Sequence, residues 1–412
     1  MSRPRRKMFG PLFSTTVVVA LLLTASAEVY TGLPTMTDWL LKRSLIRSLQ
    51  ADDTREREAA AASLVKLDSG LAVPHLVEAA RNPRADCRAL ACRYLVEACT
   101  EQEVVVPILV AGASDVEETV RYEAARAFAR LSGVGTPTLE QYLDASRRAQ
   151  LTVTPHKGLA PSMRAESIKA LRRLVHDQAT LTRVAAADAL GLFGPDPEAA
   201  ADLAAATGDK DRDVRFAAAR ALMKVCGRND RLAGRTLVAL LADPEPIADR
   251  RAVLDVILSA GLEVQDQAVA ALATLIANVD LTSHGDLVDC LVAFGPRARA
   301  ALPTLERLCN NEEPAVRAIA AIAAATIGGN ANPRIIPILL KTIDDVALTP
   351  DIRQSALEKI RELNEAELVK ATPILIRQLG SPTAEVRSTA MDMLGTIIGN
   401  TPAEMPGPTT AN

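Results

Sequence analysis

Four histidines and six cysteines are the side chains of this 412-residue sequence best suited to holding a metal or attacking a substrate. The histidines are His75, His156, His176 and His284, and the residues after them are Leu76, Lys157, Asp177 and Gly285. No His-x-x-x-His or Cys-x-x-Cys spacing occurs, so no pair is placed to share a metal on one helix or turn. The cysteines are Cys87, Cys92, Cys99, Cys226, Cys290 and Cys309, most of them at positions expected to be buried. On one helix Cys87 and Cys92 would be separated by about 7.5 Å of rise, which disfavours a local disulfide. Cys290 with Cys309, on successive helices, is the one pairing left open. A catalytic cysteine needs an activating base, and none stands at a recognisable spacing. The expectation is a protein that is not an enzyme and carries no metal and no cofactor.

The residues that do recur at fixed spacing are arginines. They are Arg57, Arg88, Arg121, Arg183, Arg215, Arg250, Arg317, Arg353 and Arg387, with His284 in the same column between Arg250 and Arg317. Apart from the 62 residues between Arg121 and Arg183, the steps are 31 to 36 residues. Small apolar residues follow at +3 and +4, and +7 reads Leu64, Leu95, Phe128, Leu190, Leu222, Ile257, Leu291, Ala324, Ile360 and Leu394. That spacing is one stripe of an α-helix. A proline stands fourteen residues before the reference position at Pro74, Pro107, Pro303 and Pro373. A period in the thirties marks stacked helix pairs, because one pair cannot bury its apolar face alone.

The pattern resembles HEAT repeats, including the bacterial HEAT-like repeats first described in phycobilisome lyases. Val120 to Phe128 and Val316 to Ala321 match the second helix of such a repeat; Pro303 to Leu308 and Pro373 to Leu379 match the first. The resemblance implies an all-α, right-handed superhelical α-solenoid of about ten stacked helix pairs over residues 37–400. It also implies that the column arginines join neighbouring units, a role suited to a long stem with a forked head. Metal-dependent HEAT enzymes such as deoxyhypusine hydroxylase use His-Glu pairs, which this chain lacks. Fold alone does not name a function.

Outside the repeats, Arg3, Arg5, Arg6 and Lys7 precede an apolar run from Leu12 to Leu23 and the small residues Ala25 and Ala27. This is the layout of a signal peptide over residues 1–27. Cleavage after Ala27 and an uncleaved anchor in which residues 8–27 reach the membrane both place the repeats outside the cytoplasm, periplasmic or secreted; a disordered basic terminus is the third reading. Residues 28–36 read as a leader, with Asp38 as helix N-cap before Trp39, which is expected to pack the open end of the stack. Residues 134–160 form an irregular segment, read as a decayed repeat, with a binding loop as the alternative. Glycines at 194, 227, 261, 295, 328 and 399 are expected helix stops, and 401–412 reads as a disordered tail. Four of the 47 Lys and Arg, and none of the 50 Asp and Glu, lie in residues 1–27. The remaining chain is therefore mildly acidic and gives no reason to expect nucleic acid.

Solvent-facing charge on the second helices falls at +5 and +9. In the first five repeats these places hold Lys66, Arg93, Arg126, Arg130, Arg220 and Lys224 against Glu97 and Asp188. In the last five they hold Asp255, Asp289, Glu358, Glu362 and Asp392 and no base. HEAT solenoids line their concave side with this helix. The expected function is an exported scaffold or adaptor that binds a protein partner there, with Arg93, Arg126 and Arg220 supplying charge and Tyr122 and Phe216 apolar anchors. The alternative that the resemblance leaves open is a chromophore-lyase-like or other ligand-processing protein.

Overall fold

The computed structural model describes residues 34–132, 159–243, 250–279, 285–328, 334–362 and 365–400. The signal region, the tail, His156, His284 and nearly all of the irregular segment lie outside them. Among the described residues there are twenty α-helices, one 3-10 helix and no strand. The chain divides into two compact units, Met1–Val225 and Cys226–Asn412. Helix pairs of the first are Pro34–Ser48 (α1) with Thr54–Leu67 (α2), Ser69–Ala79 (α3) with Ala85–Ala98 (α4), and Gln102–Gly112 (α5) with Glu118–Leu131 (α6). Pro161–Leu174 (α7) with Thr180–Leu190 (α8) and Pro197–Ala206 (α9) with Arg212–Cys226 (α10) complete it.

The second unit begins with Arg231–Leu241 (α11) and Arg250–Ser259 (α12), then Leu262–Ile276 (α13) and Gly285–Ala293 (α14). A 3-10 turn Gly295–Ala301 leads into Leu302–Leu308 (α15), which pairs with Pro314–Gly328 (α16). The last pairs are Ile336–Asp344 (α17) with Pro350–Arg361 (α18) and Glu365–Gln378 (α19) with Ala384–Asn400 (α20). Each unit thus holds five pairs, ten in all, as the period predicts. The stripe that the sequence marks is the core: Leu64, Leu95, Phe128, Leu190, Leu222, Ile257, Leu291, Ala324 and Ile360 are each at most 2% exposed. Close approach sets some positions. A Cβ on Gly191, just past α8, would lie 2.8 Å from the Ala221 Cα of α10, so only glycine fits there.

Three expectations about boundaries are corrected. The first helix starts at Pro34, a residue suited to a first turn, so the leader ends earlier than residue 36 and Asp38 is inside α1. Its carboxylate accepts from Lys42 Nζ at 2.9 Å across one helical turn instead of capping. Trp39 does not close the stack: it is 54% exposed, with the Arg43 guanidinium 5.1 Å from its ring. Gly194, Gly227 and Gly295 do take positive φ, of 82°, 104° and 57°, but Gly261 has φ −67° and caps the start of α13. Helix α20 is described to Asn400, one residue past Gly399. In earlier repeats the chain must turn at that place to begin the next pair.

The column arginines join the repeats in a consistent way. The forks of Arg57, Arg88, Arg121, Arg183 and Arg250 reach backward within their own pair and forward to the next. Arg88 donates Nη1 to the Asn82 and Pro83 carbonyls of its own inter-helix turn, at 3.0 and 2.7 Å. Its Nε and Nη2 donate to both oxygens of Asp115, in the following turn, at 2.7 and 2.8 Å. Arg121 repeats this with the Asp115 and Val116 carbonyls and the Asp177 carboxylate. Arg183 holds the Asp177 and Gln178 carbonyls, donates Nη2 to Asp209 Oδ1 at 3.1 Å, and brings Nε to 2.9 Å from Oδ2 as an ion-pair contact. Arg57 uses Asp86, and Arg250 lies 3.2 Å from Asp286. Arg215, Arg317 and Arg387 hold their own turns, and Arg353 reaches Thr383 Oγ1 at 3.4 Å. The main-chain bonds are therefore to the arginine's own turn, and the neighbour is engaged through its carboxylate.

Arg121 and Asp177 pair although the irregular segment lies between them. Helices α6 and α8 pack directly on one another, so repeats three and four are neighbours. Nearly all of the residues expected to form a decayed repeat lie outside the described ones.

Asp115, Asp177 and Asp209 also accept a main-chain N–H two residues on. The Arg88 bond holds the Asp115 carboxyl below its ordinary range against some opposing burial. For Asp177 and Asp209 burial pushes upward, and the arginine and main-chain bonds outweigh it, so both are also depressed. A depressed carboxylate contributes stability above its unfolded pKa, near 3.9, that is lost as pH falls through the folded value. The first unit is therefore expected to weaken progressively in acid below about pH 4. Urea midpoints measured down the acid range check this, and a midpoint that Asp177→Asn does not alter in its pH dependence would contradict it.

Candidate partner-binding face

The second helices carry the expected charged columns, but the structure pairs most of the bases. Arg93 on α4 donates Nη1 to Glu58 Oε1 at 2.8 Å in the preceding repeat and Nη2 to Glu123 Oε1 at 2.7 Å in the following one. Glu123 is only 3% exposed, and its bond to Arg93 raises the arginine's pKa further. Arg126 stands 3.7 Å from the same Glu123 oxygen. Arg130 meets Glu97 at 3.1 Å, and Arg220 meets Asp188 at 2.5 Å. Burial lowers the pKa of Arg130 and, together with nearby Arg220, that of Lys224. Arg93 is thus a brace across three repeats, not a free docking cation. The charge count at +5 and +9 missed Glu58 and Glu123 because they stand at +1 and +2. Their signal was an acid three to four residues before a +5 place.

Two aromatic platforms lie on this face. The Arg126 guanidinium sits 5.6 Å from the centroid of Tyr122, and that of Arg220 sits 5.2 Å from Phe216, each pair one helical turn apart. Both rings are half-buried. A cation held over a ring presents a flat apolar body with a polar tip. The five nominated residues are therefore not one cluster: Arg93, Tyr122 and Arg126 adjoin in repeats two and three, while Phe216 and Arg220 stand in repeat five.

In the second unit Asp289, Glu358, Glu362 and Asp392 are exposed and Asp255 is half-buried. Partners of three of them lie on the surface: Arg251 is 3.5 Å from Asp255, Gln354 donates to Glu358 at 3.3 Å, and Lys359 is 2.9 Å from Glu362. Burial and nearby Asp286 push the Asp289 carboxyl upward.

Chemistry-bearing residues are placed otherwise. His176 Nε2 lies 3.3 Å from Asp202 Oδ1 on the surface, and no group of three His, Cys, Asp or Glu side chains among the described residues could hold a metal. All six cysteines are free, Cys290 and Cys309 included. Burial pushes the Cys92 thiol up to about 12 and those of Cys290 and Cys309 to about 11, so they stay protonated at neutral pH. Cys226, the last residue of α10, is exposed, whereas Cys99 in the same column is buried.

Residues 168–257 match the family model for HEAT repeats. This is a HEAT-repeat protein. Its fold is similar to solved structures of importin β, at 12% identity and a TM-score of 0.52, and of Kap95p with RanGDP, at 14% and 0.57. The aligned regions cover 87% and 94% of this chain. The HEAT chain spans 50% and 56% of the length of those two. No curated protein matches it.

Proposed function

We propose that this HEAT-repeat chain is an exported, non-catalytic scaffold or adaptor that binds a protein partner along its second-helix face, the concave side in such solenoids. The observation that carries this reading is the pair of aromatic platforms, Tyr122 under Arg126 and Phe216 under Arg220, on helices whose other side is committed to the core. Partner surfaces are enriched in tyrosine, phenylalanine and arginine of this kind. Kap95p, similar in fold, binds RanGDP in its solved structure, which supports a protein as the ligand. Export rests on the basic, apolar and small-residue succession of residues 1–27. A partner with apolar side chains beside carboxylates fits the first unit.

The test is capture on immobilised full-length chain from the extracytoplasmic fraction. Tyr122→Ala and Phe216→Ala should each weaken capture of the partner about tenfold or more, as loss of an aromatic anchor does. Arg126→Glu should weaken it and reduce the salt sensitivity of what remains. Arg93 is left intact because it braces the scaffold. Capture that none of these substitutions alters would sink the proposal.

A further inference from the structure

A repeat has a side that faces forward and a side that faces back. Cys92, at +4 of repeat two, lies 2.8 Å from where a Cβ on Gly112 of repeat three would sit, and Gly191, at +8 of repeat four, meets Ala221 of repeat five. So +4 and +8 face forward. Glu123, at +2 of repeat three, binds Arg93 of repeat two, so +2 faces back. From the first repeat to the ninth the +4 column reads Ala61, Cys92, Ala125, Ala187, Ala219, Leu254, Val288, Ala321 and Leu357, and every member is buried.

The tenth repeat breaks the column. Its +4 residue, Met391, is 63% exposed, and Gly395 at +8 has no atom within 4 Å of where a Cβ would sit. Ile376 and Leu379 on α19 are exposed beside them, at 56% and 39%. Arg387 holds the Ser381 and Pro382 carbonyls through Nη1. Its Nε and Nη2, the edge that engages the following carboxylate from Arg88 and Arg121, has no partner among the described residues.

The first repeat is bare on the opposite side. Ala59 at +2 is exposed, whereas Leu90, Glu123, Ala185 and Ala217 in that column are buried. The adjoining turn carries Asp52 and Asp53, and Asp52 is fully exposed with only Arg84 on one oxygen. Trp39 and Leu40 are more than half exposed on α1. Terminal repeats of a solenoid ordinarily turn a polar face outward; among the described residues, the first and tenth repeats expose apolar side chains there instead.

We infer that copies of this chain associate end to end, the first repeat of one continuing the stack at the tenth repeat of another. The occupant follows from the junction that the chain already makes internally: a carboxylate in an inter-helix turn enters the arginine fork, and a small back-facing residue covers a forward-facing one, as Ala221 covers Gly191. Asp52 or Asp53 supplies the first and Ala59 the second. Front and back differ, so the contact is heterologous, and a copy joined through one end keeps the other for a further copy.

Sedimentation velocity of the full chain over a concentration series reads this directly. The wild-type mass should rise beyond a dimer. Met391→Glu, which spoils the back, and Ala59→Arg, which spoils the front, should each weaken association by at least about tenfold, the scale set by burying one large apolar side chain. Mixed in equal amounts, the two variants should form a dimer and stop, since each keeps one intact end. Circular dichroism confirms that these surface variants fold, and Met391→Gln serves if α20 melts. A wild-type monomer at every concentration, association that neither substitution changes, or sensitivity to Met391→Glu alone would each overturn the inference.

Discussion

Arg183→Ala is expected to lower the unfolding free energy of the first unit by about 3 kcal/mol, the cost of breaking a buried ion pair from one side. The Arg183 side chain is 7% exposed and that of Asp209 is 16% exposed, so little solvent is available to replace what is removed. Two carbonyls of its own turn lose a donor, and the next repeat's carboxylate loses its counter-charge. Arg183→Lys should recover only part of the loss, because an ammonium cannot span three acceptors as a planar fork does. Asp209→Ala in the Arg183→Ala background should cost less than the two single changes added together. The measurement is a urea titration with hydrogen exchange read across α7 to α10. A loss spread evenly over the chain, or below about 1 kcal/mol, would show that the fork is ornamental.

Arg93→Ala should cost about 2 to 4 kcal/mol, for a related reason and with a different remedy. It leaves Glu123, almost wholly buried, with only the 3.7 Å approach of Arg126. Glu123→Gln in the same background removes the stranded charge, and most of the lost stability should return. Were Arg93 instead a solvated member of a binding row, Arg93→Ala would leave the urea midpoint within error and Glu123→Gln would rescue nothing.

These two sites also show what could be seen in the sequence. The arginine column was legible because the same residue returns in nine repeats, with Asp115, Asp177 and Asp209 six residues before the next arginine. The fork could be expected; which nitrogen would take its own turn, five or six residues back, and which the acid 27 residues on, could not be read from spacing. The brace at Arg93 was invisible to a tally of two columns, because its acids come from +1 of one repeat and +2 of another. Contacts between repeats run obliquely, and a count along one column does not sample them. The ends were read least well. The repeat spacing marks the register of the interior helices but not the start of α1 at Pro34, which lies ahead of the first column arginine.

The bond from Arg121 to Asp177 carries a consequence for how such a chain can grow. Arg88 and Asp115 are 27 residues apart, Arg121 and Asp177 are 56, and the same two-pronged junction forms in both. The seam between α6 and α7 is therefore indifferent to how much polypeptide is spliced into it. An enlarged excursion, even a foreign domain with adjacent termini, could be grafted there without altering the spacing of the array on either flank.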